Sequence, residues 1–135
     1  MKTLLRRVFL VTFLGGATVA LAHHSFAVFF DPERIISVTG KVTEFQFRNP
    51  HGEIGLEVQT KDGRTETWLV ETNAPSFLRR RGWTRDSVKI GETLTIEGWA
   101  ARDGKHYMRL RKATRADGTV IGVPLDANFD PEKED

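Results

Sequence analysis

The 135-residue sequence predicts an all-β domain with one short helix, an OB-fold-like five-stranded barrel. Three observations point there: short runs in which apolar and polar residues alternate, Asp-Gly pairs that turn one run into the next, and a single helix signal between the third and fourth runs. Val38, Gly40 and Val42, followed by Phe45 and Phe47, form the first strand, which Arg48-Asn49-Pro50-His51-Gly52 breaks with turn chemistry. Ile54, Leu56 and Val58 alternate with polar neighbours in the second. Asp62-Gly63 accepts the positive φ angles of a tight hairpin and leads into a third strand over Thr65 to Glu71, with Trp68 and Val70 as apolar members.

Next comes the helix, over roughly Ala74 to Arg81. Asn73 is expected to cap its free amides, Pro75 suits its first turn, Phe77-Leu78 gives it an apolar patch, and Gly82 fits the left-handed position that ends it. Leu94, Ile96 and Gly98 mark the fourth strand, Asp103-Gly104 the turn, and Met108 with Leu110 the fifth. Three strands, a helix and two strands is the OB-fold order, and five strands in so short a chain close more readily as a barrel than as a sandwich. Phe26, Phe29 and Phe30 are expected to pin the segment ahead of the barrel by burying aromatic surface, with Trp68 and Trp83 packed inside.

The chain begins as an exported precursor does. Lys2, Arg6 and Arg7 precede an uncharged stretch from Val8 to Ala22 that is shorter than the ~20 residues a transmembrane helix needs. Ala20-Leu21-Ala22 suits a signal peptidase, so residues 1–22 read as a signal peptide, 23–125 as the domain, and 126–135 as an acidic flexible tail. A periplasmic or secreted protein with His23 as its first residue is expected, exported by the general or the twin-arginine route. There is no cysteine to lipidate, so no stable membrane anchor is expected, and the core must supply stability without disulfides. Loss of Lys2, Arg6 and Arg7 leaves 17 basic residues against 18 acidic ones. The near-neutral balance and the compartment together argue against a nucleic-acid partner.

At His23-His24-Ser25-Phe26, at Asn49-Pro50-His51, and from Leu78 through Arg79-Arg80-Arg81-Gly82-Trp83 to Ser87, the chain resembles a family of small exported bacterial proteins of unknown function. The likeness spans nearly all of the mature chain. It brings no activity with it, and it implies that His23, His24 and His51 are the positions of interest. Gly52-Glu53 departs from the aromatic or aliphatic residue that usually follows Asn-Pro-His in that family.

A histidine at a free amino terminus offers its α-amine and Nδ1 to one metal ion, and a second imidazole completes a histidine brace. All-nitrogen ligation favours Cu(II). His23, with His24 or His51, is the candidate ligand set, and His106 joins it because His51 and His106 fall in the strand 1–2 and strand 4–5 loops, where OB-folds bind ligands. The structural alternative makes the histidines a solvated chain end and a Pro-stiffened turn, in a module that binds a small ligand or a periplasmic protein partner without metal. Arg79-Arg80-Arg81 can face a phosphate or an anionic membrane, or simply complement the helix C-terminal dipole. No nucleophile elbow, cysteine or paired-carboxylate motif is present, so a binding protein is expected in preference to an enzyme.

Overall fold

The computed structural model describes residues 26–126. The expected signal peptide over residues 1–22, His23, His24 and the tail beyond Asp126 lie outside the described residues. A four-residue helical turn, α1 (Phe26–Phe29), opens directly into a long strand, β1 (Phe30–Gln46), followed by β2 (Glu53–Gln59), β3 (Thr65–Glu71), α2 (Pro75–Arg80), β4 (Thr93–Ala101) and β5 (Tyr107–Arg115). The strands close into a barrel in the order β1-β2-β3-β5-β4, with β4 returning onto β1. With the helix between β3 and β4, this is the five-stranded OB-fold arrangement that the alternation predicts.

β1 makes closure possible by belonging to two pairings. Its first part runs antiparallel to β4, its last part to β2, and Lys41 is shared, facing Thr93 on one side and Glu57 on the other. Gly40 sits at this pivot, where a Cβ would come within 2.8 Å of the Glu57 carbonyl, and a register shift follows between Val42 and Glu44. A missing side chain and a bulge are what let one strand bend from one neighbour to the next. The strand therefore starts well before Val38 and ends at Gln46. Phe47 falls just beyond it, yet is only 5% exposed.

Inside the barrel Val42, Ile54, Leu56, Val70, Leu94, Ile96 and Met108 lose essentially all contact with solvent. They come from all five strands, which is why alternation predicted them. Phe77 and Leu78 of α2 join the same core with Phe47, Trp83 and Val88. Ile121 and Leu125 add a part the strand pattern did not foresee: Ile121 N–H donates to the Ala113 carbonyl and Leu125 N–H to that of Arg111, so the segment after β5 lies along that strand. Among the described residues no helix is long and apolar enough to cross a membrane.

The helix bounds agree with the sequence, but the cap does not. Ala74, not Asn73, occupies the N-cap, and no side chain bonds there. Asn73 is drawn one residue further in and is 3% exposed, its Oδ1 without a hydrogen bond among the described residues. The far end follows expectation. Gly82 has φ +84°, its N–H donates to Arg79, and Trp83 N–H donates to Leu78. This pair of bonds is a Schellman ending, and burial of Trp83 supplies the apolar contact that accompanies it.

A Cβ at Gly82 would meet nothing closer than the Gly122 Cα at 3.7 Å, so only backbone conformation restricts the position. Gly82→Val should therefore lower stability by about 1–2 kcal/mol, the cost of a left-handed β-branched residue, while Gly82→Asn should cost much less. Equilibrium urea unfolding of the two variants beside the parent checks the difference.

Candidate functional site

The parallel pairing between β3 and β5 is the shortest seam of the barrel, with Leu69, Val70 and Glu71 opposite Tyr107, Met108 and Arg109. The polar network of this protein is built across that seam. Alternation on β3 sends Val70 inward and Glu71 outward, and on β5 it sends Met108 inward and both Tyr107 and Arg109 outward. Glu71 consequently meets two donors. Tyr107 Oη donates to Oε2 and Arg109 Nη1 to Oε1. Arg109 is only 5% exposed although it lies outside the barrel, and its Nε has no hydrogen-bond partner among the described residues.

The β1–β2 loop covers this pair. Asn49-Pro50 is a cis peptide, Arg48 reaches Glu53 at 3.1 Å, and the Gly52 carbonyl accepts Thr72 N–H at 2.8 Å. At Gly52 any Cβ would collide with the Gln46 carbonyl and with Thr72 Oγ1, so the loop can press this closely only with glycine there. His51 is thereby laid over the pair, Nδ1 at 3.3 Å from Arg109 Nη1 and 4.0 Å from Glu71 Oε1. A guanidinium only donates, so Nδ1 is the acceptor and the neutral ring carries its proton on Nε2. That tautomer makes His51 Nε2 a donor and a poor metal ligand while Arg109 holds the other nitrogen.

His106 is placed differently. Its ring stacks on Trp68 with centroids 4.7 Å apart, and its Nε2 faces Glu66 Oε2 at 3.5 Å, an oxygen to which Trp68 Nε1 also donates. Glu66 and Trp68 share the face of β3 opposite to Glu71, and Glu66 stands roughly 16 Å from Glu71 along the strand at ~3.3 Å per residue. His51 and His106 thus lie beside different carboxylates on different faces. Among the described residues no group of three or more His, Asp or Glu is placed to hold a metal ion.

A third feature leads to the chain start. Phe26 packs edge-on against Trp99 at 5.4 Å and beside Phe30, and Phe30 packs on Tyr107 at 5.1 Å. Arg102 ties the same segment to the β4–β5 turn, its N–H donating to the Phe29 carbonyl and its Nε to that of Ala27. The expected aromatic pin is present in Phe26 and Phe30. Phe29 is instead 46% exposed. Trp99, which falls off the β4 apolar alternation, is 1% exposed beneath Phe26, whereas Trp68 lies half-buried against His106 instead of in the core centre.

Glu66, Glu71, Tyr107 and Arg109 were not singled out by sequence reasoning. Glu71 and Arg109 are far apart in the chain, and only the strand register brings them together. No local motif marks such a pair.

A family model spans residues 12–109. The chain belongs to the family of unknown function DUF6152. No curated protein matches it. Two crystal structures of the mitochondrial single-stranded DNA-binding protein Rim1 from S. cerevisiae are similar in shape. One aligns with a TM-score of 0.49 at 15% identity, over 62% of this chain and 93% of that one. The other, selenomethionine-labelled, has a TM-score of 0.40 at 22% identity, over 69% and 90%. The expectation that nucleic acid is no partner is withdrawn, since these structural neighbours are DNA-binding proteins. That expectation rested on the near-neutral total and the expected compartment, and such a total hides a local field: Arg79, Arg80, Arg81 and Arg85 gather over two phenylalanine rings.

The Glu71 cluster should show itself in alkaline stability. Burial, first, and then the Glu71 carboxylate raise the Tyr107 hydroxyl well above its usual value of 10.0. A raised acid is stabilising below its unfolded value, and that contribution is lost as pH rises toward the folded one. Unfolding free energy should therefore fall above about pH 10, and Tyr107→Phe should flatten that fall. Glu71→Gln leaves Arg109 buried without a counter-charge and should cost on the order of 3 kcal/mol at neutral pH. Urea denaturation between neutral pH and the alkaline limit measures both.

Proposed function

We propose that this is an exported small binding protein that takes Cu(II) through the mature amino terminus, with His23 chelating by its α-amine and Nδ1 and His106 offering a further imidazole. The supporting observation is the position of His106. A metal-bound histidine typically directs its other ring nitrogen at a carboxylate, and Nε2 of His106 already faces Glu66, leaving Nδ1 for an ion. The turn carrying His106 also carries Arg102, which bonds Phe29 and Ala27, so α1 runs beside it. From Ala27 back to His23 the chain can extend at most about 14 Å, which brings the amino terminus within reach of that turn. His24 is the alternative second imidazole. His51, held through Nδ1 by Arg109, ranks below both.

The rival reading is an OB-fold module for a small ligand or a periplasmic protein partner, in which the Glu71 cluster braces the barrel and the histidines are incidental. It is favoured by the observation that the Glu71 carboxylate spends both oxygens on Tyr107 and Arg109 of β5, a brace across the barrel seam.

A chain that begins at His23 should bind Cu(II) by titration calorimetry and give a nitrogen-rich copper EPR spectrum. One alanine added before His23 removes the chelate while retaining every side chain, and should weaken binding sharply. Glu66→Gln should weaken it about 10- to 100-fold, and His51→Ala should have less effect than His106→Ala. Binding should weaken as pH falls, because protons compete with the ion for the amine and imidazole nitrogens. Mass spectrometry of exported protein with a start other than His23, or equal affinity with the added alanine, leaves the metal-free module in its place.

A further inference from the structure

The end of the barrel closed by α2 carries a charged face that neither reading above uses. Phe47, leaving β1, and Phe77, in α2, belong to the core, are each 5% exposed, and carry arginines over their rings. Arg79 and Arg85 stand over the Phe47 ring with guanidinium carbons 5.4 and 5.9 Å from its centroid, so the two charges lie no farther apart than the sum of those distances. Arg80 and Arg81 stand over Phe77 at 5.6 and 4.9 Å. Arg81 also bonds the Pro124 carbonyl. For Arg79, Arg80 and Arg85, no carboxylate among the described residues comes within ion-pair distance; the arginine pairs that do form are those of Arg48, Arg64, Arg109, Arg111 and Arg115.

Two physical consequences follow. Like charges held at such separations repel one another in low salt, where the Debye length is about 30 Å at 0.01 M ionic strength, and lower the cost of bringing in an anion. A guanidinium laid over a ring spends its face on the π system, keeps its in-plane N–H donors, and has already lost much of its rotamer freedom. We infer that the Phe47–Phe77 arginine face is a binding site for phosphoryl groups, held by Arg79 and Arg85 with Arg80 beside them. A multiply charged phosphoryl group matches several uncompensated forked donors, whereas a carboxylate answers only one. The same chemistry can come from a soluble phosphate compound or from an anionic lipid headgroup. The chain itself offers a competitor, because residues 126–135 carry five carboxylates and follow directly on Leu125, which packs beside Phe77.

The test uses the full chain in low salt with inorganic pyrophosphate by calorimetry, and with phosphatidylglycerol or phosphatidylcholine vesicles by sedimentation. Pyrophosphate binding identifies a soluble phosphoryl ligand, and binding only to phosphatidylglycerol identifies a headgroup; either supports the site. Arg79→Gln with Arg85→Gln should lose at least about tenfold in affinity, the worth of two charge-assisted bonds, while Lys61→Gln with Lys105→Gln, an equal charge change elsewhere, should not. Arg79→Lys with Arg85→Lys keeps charge and removes the fork, and should fall between them. Thermal melts confirm that each variant is folded. Absence of binding to both probes, equal loss in the lysine control, or binding that emerges only with Glu132→Gln and Glu134→Gln overturns the inference, the last because the tail would then be the occupant.

Discussion

The barrel depends on its weakest edge. Four seams are antiparallel and long, but β3 and β5 meet in parallel over only three residue pairs, and a barrel with one open seam is an open sheet with two unpaired edges. Glu71 is the residue that holds this seam from outside. Its carboxylate takes Tyr107 and Arg109 from β5, and through Arg109 it also holds His51 and the β1–β2 loop. A buried ion pair is poor evidence of net stabilisation, since desolvation opposes the attraction. What this one supplies is register: any slip of β5 against β3 would leave Arg109, almost wholly buried, without its counter-charge.

The same network connects to the chain start through aromatic contacts. Tyr107 gives its hydroxyl to Glu71 and its ring to Phe30, and Phe30 passes the contact to Phe26 and so to Trp99. Residues next to the expected mature terminus are therefore part of the domain, fixed against the β4–β5 turn. This matters for any chemistry at that terminus, because a ligand set that includes the first residue gains little if the segment behind it is free to wander. The two barrel histidines differ in readiness for the same reason. Arg109 occupies the Nδ1 of His51, whereas Glu66 faces the Nε2 of His106, whose other nitrogen has no hydrogen bond among the described residues.

Net charge proved a poor guide to surface. Acidic and basic residues nearly balance over the chain, but tertiary structure sorts them: Glu71, Glu97 and Glu92 spend their charge on arginines and lysine of β5, while Arg79 and Arg80 at the helix end stand over ring faces. A sum over the chain averages these two populations away, and with them the field that an anion would meet.

The strands, the turns at Gly63 and Gly104, the helix with Pro75 at its start and Gly82 at its end, and the inward row from Val42 to Met108 were determined by the sequence itself. Each follows from a local rule: period-two alternation, positive φ that glycine accepts, or a ring that fixes φ. Asn73 shows the limit of such rules, since it has the residue type of a cap yet is buried one position ahead of the cap residue, Ala74. Tertiary structure alone decided that β1 serves two neighbours, that Trp99 is covered by Phe26, and that Ile121 and Leu125 complete the core. It alone brought Glu71 to Arg109, Glu66 to His106, and Arg85 to Phe47. These are long-range pairings, and a residue's chemistry does not say which distant residue the register will set opposite it.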